Sequence, residues 1–173
     1  MPHLTESVAV EASATELYAL VSDLPRMREW SPECTRVTWS SAIPGAVAGS
    51  PGTPGAAAGS SAAPWPVVGA RFVGHNRVGA VRWFTFGRVV DADPGCRFAF
   101  SIHFGPIPIS LWAYDFTPTA TGCEVTESWT DHRPAVLRTL FRPIFGNRTP
   151  RNVHGIHTTL ARLKTAAETA APA

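Results

Sequence analysis

The sequence predicts an α+β domain in which helices pack on one face of an antiparallel sheet. Two observations support this fold class. From residue 69 onward, short segments of alternating polarity follow one another with turn residues between them. The chain then ends in one long amphipathic stretch with helical spacing. Because the strands outnumber the helices and follow one another directly, we expect an antiparallel sheet.

The length and composition fit one globular domain over residues 1–173. Of the 173 residues, 45% are hydrophobic and 16% are charged, which is typical of a folded protein. A formal net charge of +2 gives no argument for a nucleic-acid partner. No stretch approaches the roughly 18 consecutive apolar residues that a membrane span needs. Oligomeric state is left open between monomer and homodimer.

The cysteines and the basic residues indicate the compartment and the source. The three cysteines are widely spaced and form no C-x-x-C motif, so reduced thiols in a cytoplasmic protein are expected. Fourteen arginines and a single lysine, with abundant Ala, Gly and Pro, suggest a GC-rich bacterial genome. The cysteines are Cys34, Cys96 and Cys123.

The elements of the first forty residues follow from alternation and capping. Residues 4–12 alternate and predict a first strand. Ser13 with Glu16 forms a capping box that starts a helix. A short helical piece then ends near Trp30, and residues 36–40 predict a second strand. The apolar face of the first helix consists of Leu17, Leu20 and Val21.

Residues 41–66 consist almost entirely of Ala, Gly, Ser and Pro. Such a segment has too little side chain to bury and too much Gly and Pro for a regular element. We therefore interpret it as a low-complexity loop inserted into a hairpin connection.

The remaining chain predicts five more strands, an apolar helical piece and a final helix. The apolar piece covers residues 135–145 and is interrupted at Pro143. Thr149 is the expected cap of the final helix and Pro150 its first residue. The strands are 70–78, 80–92, 97–104, 109–116 and 123–131. The apolar stripe of the final helix is Val153, Ile156, Leu160, Leu163 and Ala167.

Strand alternation sorts the side chains into an inner and an outer face. The inner face is predicted to be aromatic with few polar groups, which is typical both of an aromatic core and of a small-molecule pocket. The two arginines of 80–92, Arg82 and Arg88, mark the outer side. The inner set is Phe72, Asn76, Val81, Trp83, Thr85, Val89, Phe98, Phe100, Ile102, Phe104, Trp112, Tyr114, Phe116, Glu127 and Trp129.

Glu127 is the one carboxylate in this inner set. It lies between Val125 and Trp129, on a parity of the strand that ends with Asp131. Desolvation among aromatic residues would raise its pKa, so that it could act as a general acid or base. Alternatively, it accepts a hydrogen bond from Asn76, Tyr114 or an arginine and fixes the sheet. Both interpretations stay open at this point.

Two histidines are a second candidate source of proton-transfer or metal-binding chemistry. His154 and His157 lie three residues apart on the final helix, and His157 flanks the apolar stripe. No Asp, Glu or Cys follows at the spacing of a metal motif, so no metal site is predicted. No phosphate-binding glycine loop or nucleophile motif is present either, and no cofactor is expected.

The order of elements resembles the START-like (SRPBCC) superfamily, which includes polyketide cyclase/dehydrase and lipid-transport proteins. The likeness covers nearly the whole chain except residues 41–66. It is carried by the segment 6–39, by Gly69-x-x-Phe72-x-Gly74-x-Asn76, by Trp112-x-Tyr114 and Val125-Thr126-Glu127-Ser128, and by Thr159-Leu160-x-Arg162-Leu163-Lys164. The resemblance implies a helix-grip fold, in which a curved antiparallel sheet wraps the C-terminal helix and encloses a cavity for an apolar ligand.

Three hypotheses about function follow from the resemblance and the inner face. The first is a carrier or binding protein for a lipid, polyketide or aromatic metabolite. The second is a polyketide cyclase or dehydratase that uses Glu127 with Tyr114 or His157 for proton transfer. The third is an interaction module that uses residues 106–109 and 135–145. The ligand-binding residues are predicted to be Phe72, Asn76, Trp83, Thr85, Phe98, Phe100, Trp112, Tyr114, Trp129, Val153, Ile156, His157 and Leu160.

Overall fold

The alternating segments form one seven-stranded antiparallel sheet. The computed structural model describes residues 3–40, 66–133 and 148–170, together with positions 136 and 139. The strands are β1 (His3–Val10), β2 (Cys34–Trp39), β3 (Arg71–Val78), β4 (Val81–Asp93), β5 (Arg97–Phe104), β6 (Ile107–Thr119) and β7 (Gly122–Asp131). Their order across the sheet is β1-β7-β6-β5-β4-β3-β2, so the first strand pairs with the last.

Within residues 3–40, 66–133 and 148–170, three helical segments pack on one face of this sheet. They are α1 (Ala14–Ser22), a 3-10 helix (Leu24–Glu29) and the C-terminal helix α2 (Arg148–Ala170). Helix α1 contacts β5, β6 and β7, the 3-10 helix contacts β2, and α2 contacts β1 and β7. The fold is therefore α+β with a curved sheet and a C-terminal helix, and the expected helix-grip arrangement is confirmed.

Local sequence signals account for both α-helices. The Ser13 hydroxyl accepts a hydrogen bond from the Glu16 backbone N–H, and the Glu16 carboxylate accepts one from the Ser13 N–H. The capping box predicted from the sequence is thus confirmed. In α2, the predicted apolar stripe turns toward the sheet. Its buried members are Ile156, Leu160, Leu163 and Ala167.

The predicted start of the C-terminal helix was two residues too late. The helix begins at Arg148, so Thr149 and Pro150 lie inside its first turn. Proline is tolerated there because the first N–H groups of a helix have no partner within the helix.

Two side chains assigned to the inner face are exposed instead. Val81 is 64% exposed because it lies beside the tight turn between β3 and β4. Phe104 is 70% exposed, and the pairing of β5 with β6 shifts register between Ile102 and His103. Phe104 is also the last residue of β5, beside the turn that leads to β6, so it lies at the margin of the inner face.

The connection between β5 and β6 is also shorter than expected. Strand β6 begins at Ile107, so Pro108 lies within a strand and not in the predicted break. Pro108 pairs with His103 next to the register shift, where a residue without an N–H is tolerated.

Several predictions fall outside the described residues. The inserted loop at 41–66 is described only at residue 66, and the apolar piece at 135–145 only at positions 136 and 139.

The three cysteines form no disulfide bond and are free thiols in the structure. No helix in the described ranges is both long and apolar enough to cross a membrane.

Candidate functional site

A buried pair of polar side chains, Glu127 and Tyr114, lies on the face of the sheet that the helices cover. The two residues are direct register partners on the adjacent strands β7 and β6. Each of the two residues is only 2% exposed. The Tyr114 hydroxyl donates a hydrogen bond of 2.8 Å to Oε1 of Glu127. Of the three donors considered for Glu127, the structure therefore places Tyr114 beside it.

The second oxygen of Glu127, Oε2, is buried and has no hydrogen-bond partner among the described residues. A buried polar atom without a partner costs roughly 1–3 kcal/mol, so such atoms are rare in folded proteins. Oε2 is therefore the atom of the pair that lacks a partner among the described residues and can bind another polar group.

Burial sets the protonation state of the pair. It raises the pKa of Glu127 from 4.5 to about 8, although the hydrogen bond from Tyr114 acts in the opposite direction. Burial and the nearby Glu127 carboxylate also raise the pKa of Tyr114 well above its usual value. Both groups are therefore mainly neutral near pH 7. With Oε1 accepting from Tyr114, the proton of the carboxylic acid lies on Oε2, which can then donate a hydrogen bond.

A second buried carboxylate on β7, that of Asp131, is held quite differently. Asp131 is 2% exposed and forms a bidentate ion pair with Arg133, with N–O distances of 2.9 and 2.8 Å. It also accepts a hydrogen bond from the Arg133 backbone N–H. The charge of Asp131 is thus compensated by a cation, whereas the hydrogen bond to Glu127 comes from a neutral phenol.

Aromatic residues of the inner face form two groups around the pair. Trp129 and Trp112 are cross-strand partners with ring centroids 6.2 Å apart, and Trp129 is buried while Trp112 is half-buried. Phe100 lies between Phe72 and Phe98, with centroid distances of 5.4 and 6.2 Å. These five predicted ligand-binding residues therefore share the inner face with Glu127.

The predicted polar residues at the other side of the sheet form a separate group. The Asn76 amide donates to the Thr85 hydroxyl at 3.2 Å and to the Gly74 carbonyl at 3.4 Å. Trp83 is the register partner of Asn76, and all three predicted residues are half-buried. Asn76 and Thr85 thus bond to each other and to the Gly74 carbonyl, and neither forms a hydrogen bond with Glu127.

The residues predicted on α2 divide by their position around the helix. Ile156 and Leu160 are buried and Val153 is half-buried. The side chain of His157 is 62% exposed, and its Nε2 lies 3.5 Å from the Glu6 carboxylate on β1. The structure therefore does not bring His157 together with Glu127 and Tyr114.

One residue near the pair was not identified from the sequence. Cys34 is 8% exposed at the start of β2, and burial raises the pKa of its thiol to about 11. It lies close enough to Tyr114 for a charge on Cys34 to raise the pKa of the phenol. The predicted strand 36–40 began two residues too late to include it, and no motif marks it.

An open groove of about 610 Å³ lies elsewhere, between the 3-10 helix and α2. It contains none of the predicted ligand-binding residues. Its lining is Glu29, Ala161, Arg162, Thr165, Ala166 and Thr169. The internal cavity implied by the resemblance is not tested by the described residues and stays a prediction.

Comparison with known proteins supports the fold and assigns the chain to a family. A family model described as polyketide cyclase/dehydrase and lipid transport matches residues 1–168. None of the curated proteins compared with the chain matches it in sequence.

Three solved structures illustrate the similarity. A polyketide-cyclase-like protein from Corynebacterium glutamicum is 28% identical, with a TM-score of 0.56 over 97% of this chain and 94% of that one. An AHSA1-like protein from Aeromonas hydrophila is 14% identical, with a TM-score of 0.60 over 98% and 94%. The di-domain ARO/CYC protein StfQ of the steffimycin biosynthetic pathway is 14% identical, with a TM-score of 0.65. The match to StfQ covers 96% of this chain and 50% of that protein.

Proposed function

Because the chain belongs to the polyketide cyclase/dehydrase and lipid transport family, we propose that it is a binding protein or carrier for an apolar small molecule. The ligand lies between α2 and the inner face of the sheet. A lipid, a polyketide or an aromatic metabolite would have the required apolar surface. The observation that carries the proposal is the buried Oε2 of Glu127, which has no partner among the described residues.

The protonation state of Glu127 specifies the polar part of this ligand. A neutral carboxylic acid whose proton lies on Oε2 donates a hydrogen bond to an acceptor. The ligand therefore carries a carbonyl or hydroxyl oxygen that faces Glu127. Making this bond removes the free-energy penalty of the buried, unpartnered atom, so it favours the bound state.

Apolar contacts supply most of the affinity. Trp129, Ile156 and Leu160 are buried residues of the inner face and of the facing side of α2. Apolar walls with a few placed polar groups are typical of small-molecule sites. A hydrogen bond to Glu127 then orients the ligand, while the walls favour it over water-soluble competitors.

Binding is tested with two substitutions of Glu127. Native mass spectrometry of protein from its own host detects a copurified ligand, and melting temperatures are measured across a panel of fatty acids, polyketides and aromatic ketones. Glu127→Gln keeps a donor and an acceptor, so affinity should stay within a few-fold. Glu127→Leu removes the donor and should weaken binding of a ketone about tenfold.

Glu124→Gln is the matched control, because Glu124 is an exposed residue of the same strand. It should bind as the wild type does. Two outcomes would contradict the proposal. One is the absence of any copurified ligand together with unchanged melting temperatures across the panel. The other is wild-type affinity of Glu127→Leu for every ligand that binds.

A second function, that of a cyclase or dehydratase, is favoured by the pKa of Glu127. A group with a pKa of about 8 can both accept and return a proton near neutral pH. As a carboxylate, Glu127 would remove a proton from the carbon beside a ketone. As an acid, it would return the proton to a hydroxyl group that leaves as water.

The variant Glu127→Gln distinguishes the carrier from the enzyme. Glutamine cannot transfer the proton but keeps the hydrogen bond, so an enzyme should bind its substrate and lose turnover. Formation of a cyclised product from a poly-β-ketone mimic is followed by liquid chromatography with mass spectrometry. Unchanged turnover in this variant would remove Glu127 from the reaction.

A further inference from the structure

The outer face of the sheet carries two exposed phenylalanines among five arginines. Phe84 and Phe86 lie two residues apart on β4, on the same outer side, and are 64% and 57% exposed. Phe84 pairs with His75, whose ring meets it edge-on at a centroid distance of 4.9 Å, and Phe86 pairs with Val73. The arginines are Arg36, Arg71, Arg77, Arg82 and Arg88, all of them exposed. We call these seven residues the aromatic-basic face.

The pairing of the arginines is unfavourable for the isolated protein. Arg71 is the direct register partner of Arg88, and Arg77 of Arg82, across the same two strands. Like charges that lie directly opposite one another destabilise a sheet. An anionic partner would compensate the charge of these two arginine pairs, which would explain why both occur on one hairpin.

No acidic side chain in the same part of the sequence compensates the charge of these arginines. The sequence contains no Asp or Glu between Glu33 and Asp91, a segment that includes all five arginines. Within residues 3–40, 66–133 and 148–170, none of the five forms an ion pair with a carboxylate. The aromatic-basic face is therefore positively charged in the free protein.

Exposed apolar residues also lie at one end of the sheet, beside the turns of two hairpins. Val81 begins β4 and is 64% exposed, while Phe104 and Ile107 flank the turn between β5 and β6 and are 70% and 42% exposed. In an antiparallel meander, the β3–β4 and β5–β6 turns lie at the same end of the sheet. Apolar and basic side chains thus occur together at this end.

We propose that the aromatic-basic face docks onto the surface of a lipid bilayer that contains anionic lipids. The arginines bind lipid phosphates, and the phenylalanines enter the boundary between head groups and acyl chains. The sheet curves around the helices, so its outer face is convex and can press into a deformable surface. This proposal does not depend on the ligand proposed for the inner face.

The chemistry of the apolar residues favours a bilayer over a single-stranded nucleic acid. Bases need aromatic faces on which to stack. Val73, the register partner of Phe86, and Val90, which lies two residues beyond Arg88 and is 41% exposed, provide none. Any apolar side chain, in contrast, gains free energy by entering a lipid interface. The proposal therefore assigns the face to a lipid surface, and nucleic acid becomes an outcome of the test.

The test measures cofloatation of the whole protein with vesicles. One set contains phosphatidylcholine alone, and the other contains equal parts of phosphatidylcholine and phosphatidylserine. The wild type should float with the anionic vesicles and be released by salt. The double variant Phe84→Ser/Phe86→Ser should lower the partition coefficient about tenfold for each residue. Arg82→Gln and Arg88→Gln should lower it about fivefold each.

Matched controls change similar residues outside the face. Val68→Ser removes another exposed apolar side chain, and Arg28→Gln another exposed arginine on the 3-10 helix. Both should float as the wild type does. Because all the substituted side chains are exposed, no variant should lose much stability, and the melting temperature is measured for each one. Arg82→Gln and Arg88→Gln should raise it slightly, because each removes one like-charge pair.

Three results would overturn the proposal. The first is a wild type that does not float with the anionic vesicles. The second is equal flotation of the wild type and the Phe84→Ser/Phe86→Ser variant. The third is binding of a single-stranded oligothymidylate, or dimerisation seen by light scattering, that is lost in the double variant while vesicle binding is absent.

Discussion

Glu127 illustrates how a single position can be strained by its surroundings without distortion of the backbone. Its strand is regular, and its register partners on either side are Glu6 and Tyr114. The destabilising element is electrostatic, because burial opposes the charged form of the carboxylate. The neighbouring phenol provides a single hydrogen bond, which is too little to keep the carboxylate ionised near neutral pH.

This electrostatic strain predicts a dependence of stability on pH. The pKa of Glu127 is about 8 in the folded protein and near 4.5 in the unfolded chain, so the folded state binds a proton more tightly. Its contribution to stability is fully present below pH 4.5 and is lost as the pH rises toward 8. Relative to the wild type, Glu127→Gln should therefore gain a few kcal/mol of stability between pH 5 and pH 8.

Urea unfolding followed by circular dichroism at several pH values measures this difference. Glu124→Gln, which changes an exposed carboxylate on the same strand, should show the wild-type pH dependence. Parallel curves for the wild type and Glu127→Gln would show that the buried carboxyl group does not titrate as proposed.

At the scale of the strands, β3 and β4 pack through a close contact between a ring and a glycine. Gly87 is the register partner of Phe72, and a Cβ atom added at Gly87 would lie 2.0 Å from Cζ of the Phe72 ring. The ring in turn packs edge-on against Trp39 and Phe100, with centroid distances of 5.9 and 5.4 Å. The ring therefore cannot move without disturbing residues of β2 and β5.

Gly87→Ala should destabilise the protein because the alanine methyl group and the Phe72 ring occupy the same space. Overpacking of this kind costs about 1–3 kcal/mol, measured as the loss of unfolding free energy in urea. The double variant Gly87→Ala/Phe72→Leu should lose less than the sum of the two single changes. Additive losses would show that the methyl group and the ring do not compete.

The whole molecule is organised by pairs of strands that are close in sequence, with one exception. Strands β2 to β7 form a meander, whereas β1 pairs along its whole length with β7. Helix α2 also contacts β1, where Lys164 Nζ donates a hydrogen bond of 2.7 Å to the Ala9 carbonyl. The two edges of the sheet differ in the helix that supports them: β1 is held by β7 and the 23-residue helix α2, and β2 by β3 and the six-residue 3-10 helix.

Hydrogen exchange should reveal this organisation. The amides of β6, which is paired on both sides, should exchange orders of magnitude more slowly than those of the edge strand β2. Mass spectrometry of peptides from residues 107–119 and 34–39 provides the measurement. The edge strand β1 should exchange at an intermediate rate because α2 supports it. Equal protection of β2 and β6 would contradict this picture.

Sequence patterns predicted the elements of this fold better than their relative placement. Alternation identified β7 and turned Glu127 inward, and helical spacing found the buried stripe of α2. Alternation contains no information about register, so the shift after Ile102 and the exposure of Phe104 were missed. His157 follows buried Ile156 on α2, and only the rotation of the helix against β1 decides that it faces Glu6. The lack of a partner for Oε2 of Glu127 among the described residues likewise depends on three-dimensional packing.

The pairing of β1 with β7 also has a consequence for synthesis on the ribosome. The first strand emerges early, but its partner is made more than a hundred residues later. At translation rates of roughly 5–20 residues per second, β1 waits on the order of ten seconds for β7. During that interval its backbone donors and acceptors have no native partner, so the nascent chain offers an open strand to chaperones and to neighbouring chains. β1 is thus synthesised before the other strands, yet it must wait for the last of them before its backbone groups can pair.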